Sequence, residues 1–123
     1  SKIEDSAQDL TRHLNTSDLA RFASNATAFT REVLDSMFQI LQERFDKTYG
    51  GIAKAPKFIM PTIWLFLLRY YRLAGSDEAR NMVVSTLEKI ASGGIYDQVA
   101  GGFARYSVDE RWFAPHFEKM LYD

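Results

Sequence analysis

The stretch GGIYDQVAGGFARYSVDERWFAPHFEKMLYD, residues 93–123, decides how the rest of the chain is read. It carries two glycine pairs, two short β-prone runs and one of the chain's histidines, whereas the sequence upstream has the apolar spacing of amphipathic helices. Ile95 to Val99 and Phe103 to Ser107 flank Ala100-Gly101-Gly102, a hairpin loop in which glycine can supply a positive φ. Pairing Val99 with Phe103 sets Tyr96 opposite Tyr106 and Asp97 opposite Arg105. That register gives an aromatic pair on one face and an opposite-charge pair on the other. Pro115 then stands in the first turn of a further helix that takes in His116, Phe117, Glu118, Met120 and Leu121. The dipole at such a helix start favours neutral imidazole, which would suit His116 to act as a general base.

Gly93-Gly94 ends a helix whose apolar face is Ala79, Met82, Val83, Leu87 and Ile90, capped at its start by Ser76 or Asp77. The helix before it, residues 62–74, holds a run of large apolar residues from Ile63 to Leu68 and needs neighbours on two sides. Gly75 separates the two, so they form an antiparallel hairpin. Residues 46–61, DKTYGGIAKAPKFIMP, are a loop broken by glycines and prolines. In it Lys57 is either a solvated loop lysine or one whose stem packs while its ammonium enters a cleft. A long helix over residues 27–45 puts Phe29, Val33, Met37, Ile40, Leu41 and Phe45 on its core face, and shorter helices are expected at residues 2–14 and 17–22.

Composition narrows the function classes. A length of 123 residues fits one domain, and 46% hydrophobic with 25% charged residues is ordinary for a soluble globular protein. Fifteen basic against sixteen acidic residues leave a net charge of −1 and no basic stripe, so nucleic acid is not an expected partner. Helix 62–74 is too short for a bilayer and carries Arg69 and Arg72, so no membrane span is expected either. With no cysteine there is no disulfide framework, thiolate site or cysteine nucleophile, and the His116-x-Glu118 pair lacks the cysteines of a zinc deaminase. No metal and no cofactor are expected. The absent initiator Met and the ending at Leu121-Tyr122-Asp123 lead us to expect a piece of a longer protein, cytoplasmic in location.

The segments FDKTYGGIAKAPKF, LLRYYRLAGSDEA and the whole of residues 93–123 resemble the spermatogenesis-associated, thioredoxin-domain-containing family. That resemblance covers residues 43–123, with residues 1–42 a helical lead-in. It implies an all-α fold of antiparallel helical hairpins forming part of an α/α toroid, with a short β-hairpin at residues 95–107. The toroid is similar to six-hairpin glycosidases and to N-acylglucosamine 2-epimerase, and follows a thioredoxin-like domain absent from this chain. The family often has phenylalanine or glycine at Ile52 and proline at Ile59, departures that keep packing volume but leave the loop's path open.

The same resemblance implies a cavity-facing set: His116, Asp97, Asp109 and Glu118 as catalytic candidates, with Lys57, Tyr96, Arg105, Tyr106 and Trp112 as substrate-binding ones. Three functions are open. A sugar isomerase or epimerase would use His116 to abstract a proton beside a carbonyl and Arg105 or Lys57 to stabilise the enediolate. A glycoside hydrolase would need two carboxylates, drawn from Asp97, Asp109, Glu110 and Glu118. A non-catalytic toroid would bind a partner or present the thioredoxin-like domain's substrate, with Tyr96, Tyr106 and Trp112 as an apolar plug; in that case the Asp97–Arg105 pair simply holds the hairpin. The expected partners are a small molecule, a sugar by the resemblance, and a second copy of the chain covering Trp64, Phe66 and adjacent apolar residues.

Overall fold

A helical hairpin and a small sheet are laid out in a computed structural model that describes Ser6, Gln8, residues 30–52 and residues 54–122. The chain divides into two units, residues 1–31 and 32–123. In the first, Ser6 and Gln8 are helical and exposed. The remainder of the helices expected at residues 2–14 and 17–22, and the start of the one expected at 27–45, lie outside the described residues. The second unit has α1 (Arg31–Arg44, entered from the first unit at Arg31), α2 (Pro61–Ala74) and α3 (Asp77–Ser92). Three short strands, β1 (Lys57–Phe58), β2 (Tyr106–Ser107) and β3 (Pro115–His116), make one antiparallel sheet in the order β1-β2-β3. The described chain is mostly helical with a small sheet, as the sequence implies.

Local chemistry sets the helix ends. Pro61 occupies the first turn of α2, where a missing N–H costs nothing. Gly75, at φ 68°, closes that helix with its N–H on the Tyr71 carbonyl at 2.8 Å. Ser76 caps α3, its Oγ accepting from the Ala79 N–H at 3.3 Å. One core cluster joins Phe38 of α1 to Trp64, Leu67 and Tyr70 of α2 and Ala79, Met82 and Val83 of α3. Burying a side chain such as Leu67 completely contributes about 1.5–3 kcal/mol.

The face of α1 differs from the expected one. Leu34, Phe38, Leu41 and Phe45 turn inward, whereas Val33, Met37 and Ile40 stay exposed. The Tyr70 hydroxyl donates to Asp35 Oδ1 at 2.7 Å, which brings Asp35 to the α2 side. Trp64, expected at a self-association surface, is instead an interior residue whose indole N–H donates to the Ile59 carbonyl.

A second cluster, Ile59, Ile90, Ile95, Ala104 and Trp112, joins the end of α3 to the sheet. Trp112 has φ 64° and is fully buried. A Cβ on Gly51 would come within 2.6 Å of its indole, and one on Gly94 within 2.0 Å of the Phe113 carbonyl oxygen. The glycines therefore make room for Trp112 and Phe113, a close-approach role for which only a hydrogen side chain fits.

Two readings of residues 93–123 are corrected. Phe103 bridges Tyr96, not Val99, so Tyr96 is not opposite Tyr106 and Asp97 is not opposite Arg105. Asp97 Oδ1 accepts from the N–H groups of Val99 and Ala100, and its backbone bonds Gly101 and Gly102, which draws residues 98–101 into the loop. The helix expected from Pro115 is replaced by β3 and an extended segment. There the Ala114 carbonyl takes the Val108 N–H and the Glu118 carbonyl the Arg105 N–H, so pairing with residues 105–108 overrides the local helix signal. Pro115 is tolerated because β3 is an edge strand.

Candidate functional site

Alternation along the sheet sorts the motif residues into two groups. Lys57 pairs with Ser107, and both are fully buried; Phe58, Tyr106 and His116 form the next rung and point to the other face.

On the inner face Lys57 Nζ donates to Asp46 Oδ2 at 2.5 Å and to the Gly50 carbonyl at 2.7 Å. The ammonium lies 5.5 Å from the Trp112 ring centre and 5.8 Å from that of Tyr49, so two aromatic faces complete its surroundings. Asp46 Oδ1 accepts the N–H groups of Thr48 and Tyr49, at 2.9 and 3.0 Å. Partial burial pushes the Asp46 carboxyl up, but the hydrogen bonds from Lys57, Tyr49 and Thr48 outweigh it and hold it below the ordinary value. The Trp112 indole N–H donates to the Tyr49 carbonyl at 2.8 Å. Asp109 accepts from the amides of Arg111, Phe113 and Ala114. Burial raises its pKa, and the N–H groups of Ala114, Arg111 and Phe113 with the Ser107 hydroxyl bring it below the ordinary range.

The outer face is arranged differently. The Tyr106 and His116 rings stack at 4.6 Å with 14° between planes, and Tyr106 meets Phe58 at 4.8 Å. Glu118 Oε1 accepts from Arg105 Nη1 at 3.0 Å and lies 3.6 Å from His116 Nδ1. His116 is about half exposed, at 49% of its side chain. At 3.6 Å Glu118 is an electrostatic neighbour of the imidazole, and its hydrogen bond goes to Arg105. The hairpin carboxylate Asp97 is engaged elsewhere: Lys119 Nζ donates to it at 2.6 Å, and that bond with the Ala100 and Val99 amides holds its pKa down at about 2.

Of the expected residues, the structure brings together His116, Glu118, Arg105 and Tyr106. Lys57, Asp109 and Trp112 lie behind the sheet, and Tyr96 is in the hairpin, its ring 5.0 Å from Phe103. Phe58 and Asp46 were missed. The alternation in Lys57-Phe58 could have flagged the first, and the Asp46-Lys47-Thr48 turn signal the second. Among the described residues, no three His, Asp or Glu side chains converge as a metal site would require, and no helix is long and apolar enough to cross a membrane.

No protein-family model matches the chain. It is 51% identical over 90 residues to the Homo sapiens protein described as spermatogenesis-associated protein 20, a match covering 70% of this chain. The Mus musculus protein of the same description is also 51% identical over 90 residues. A Caenorhabditis elegans protein described as uncharacterized is 41% identical over 105 residues, 82% of this chain and 14% of that protein. The matched region spans 12% of the length of the human relative.

Proposed function

This chain belongs to the spermatogenesis-associated protein 20 family, and on that premise we propose that it contributes a proton-transfer surface to an α/α toroid in the longer protein. Its ligand is a small hydroxylated carbonyl compound of the sugar class. The observation that carries this reading is the Tyr106–His116 stack, whose imidazole is half exposed and has Glu118 3.6 Å from Nδ1. His116 Nε2 takes the proton from the carbon beside the carbonyl, whose oxygen becomes the enediolate oxygen. Return of that proton to the former carbonyl carbon, with the hydroxyl proton of the first carbon passing to the enediolate oxygen, gives the isomer. The Tyr106 ring orients the imidazole by stacking on it, Glu118 stands beside the imidazolium that forms, Arg105 places a guanidinium beside the developing negative charge, and Phe58 with Tyr106 offers an aromatic edge to the sugar. The other acid or base comes from elsewhere in the longer protein. Glycoside hydrolysis needs a carboxyl kept protonated, and of its candidate carboxylates Asp97 and Asp109 are both pushed the other way, which weighs against either as the acid.

A non-catalytic scaffold beside a thioredoxin-like domain is the second reading. It is supported by the engagement of Lys57, Asp97, Asp109 and Trp112 in contacts that hold the sheet and its loops.

The longer protein and its His116→Ala variant, incubated in heavy water with reducing sugars and sugar phosphates, decide between them. Deuterium appearing beside the carbonyl in NMR spectra, and lost in the variant, is the expected result. No incorporation with any sugar leaves the scaffold reading.

A further inference from the structure

A depression of about 500 Å³ opens beside the loop that follows α1, lined in part by Arg44, Asp46, Thr48, Tyr49, Lys54 and Glu110. It shares no residue with the ladder around His116. Its floor is fixed from below: Lys57 ties Asp46 to the Gly50 carbonyl, Trp112 holds the Tyr49 carbonyl, and the Gly51 N–H donates to Thr86 Oγ1 at 3.0 Å. A floor held this way costs little to order when a ligand arrives.

The charge around it is uneven. Lys57 already matches Asp46, so the exposed rim sets Arg44 and Lys54 against Glu110 alone. The Arg111 guanidinium, 5.7 Å from the Tyr49 ring centre, adds a further cation next to that wall. We propose that this depression binds a small hydroxylated phosphomonoester. The guanidinium fork of Arg44 and the ammonium of Lys54 take the phosphate oxygens. Glu110 repels a bare anion but accepts hydroxyl groups, as the Thr48 hydroxyl also can, and the Tyr49 ring supplies an apolar wall. The volume lies within the range of small-molecule sites. Binding here stands apart from proton transfer at His116.

Calorimetry at low salt on the longer protein tests it, with glucose 6-phosphate as the probe and glucose and inorganic phosphate as comparators. Saturable binding of glucose 6-phosphate is expected, weakened about tenfold or more in the Arg44→Ala/Lys54→Ala double variant. His116→Ala leaves it unchanged, which separates this site from the reading above. Both substituted side chains are exposed, so thermal melts should match wild type. Glu110→Gln tightens inorganic phosphate and weakens the preference for the sugar phosphate. The proposal is overturned by no saturable binding, by equal affinity in the double variant, or by glucose binding as tightly as its phosphate.

Discussion

Asp46 and Lys57 form a charge pair with unequal access to water, since the lysine side chain is 0% exposed and the carboxylate 22%. The two halves are therefore not equivalent. Asp46→Asn keeps the side-chain shape and an oxygen for the Thr48 and Tyr49 amides, but leaves an ammonium with only a carbonyl and two ring faces. Uncompensated buried charge of this kind costs about 3–5 kcal/mol. Lys57→Met leaves the charge on the partner that still touches water and retains two amide donors, so a smaller loss of about 1–3 kcal/mol is expected. Urea denaturation of the two variants checks the order. A Lys57→Met variant less stable than Asp46→Asn would mean that the pair's cost does not follow its burial. The same contrast explains why Lys57 is a poor ligand contact in this chain: its donors face inward, to Asp46 and Gly50.

At the scale of the elements, one carboxylate caps the hairpin's loop. Asp97 serves the loop through Oδ1 and Lys119 through Oδ2, and its pKa falls from 3.8 to about 2. A depressed folded value means that its contribution is complete above pH 3.8 and is lost as pH falls toward 2. Thermal melts across that window should show stability declining, with a shallower decline in Asp97→Asn, which keeps an acceptor oxygen but has nothing to protonate. Identical slopes in both proteins would exclude Asp97 as a source of the acid sensitivity. This loop is also where reading from sequence went astray. The helices α2 and α3 were legible because Pro61, Gly75 and Ser76 mark their ends within a few residues of an apolar run. The hairpin register was not, because the strand expected to run through Gln98 and Val99 yields to capping by Asp97. The sheet was not legible either. Its first strand comes from residues 57–58 and its partners from 106–107 and 115–116, a pairing across distant segments that no local pattern records. His116 and Glu118 were picked out for a helix start that does not form, yet β3 and the extended chain after it still place them 3.6 Å apart.

Across the described part of the second unit, apolar side chains exceed what its core absorbs. Val33, Met37 and Ile40 on α1, Leu65, Leu68 and Leu73 on α2, and Val84 and Leu87 on α3 are all exposed. Between α1 and α2 runs a groove of about 360 Å³ lined by Met37, Ile40, Leu41, Ile63 and Phe66. In the toroid proposed above, neighbouring helical hairpins of the longer protein cover such faces. Prepared alone, this chain has only itself to cover them, and at working concentration the hydrophobic effect favours self-association over leaving them wet. The surface that drives it is the exposed α1–α2 face, with Trp64 left in the interior. Light scattering should therefore give a mass above 14.1 kDa that rises with concentration. Met37→Lys/Ile40→Lys should return the chain toward the monomer without loss of helical circular dichroism, because both side chains are exposed and neither belongs to the core cluster. A monodisperse wild-type monomer at high concentration would show that these faces are tolerated in water, and would remove their support for a chain that packs against further helical hairpins.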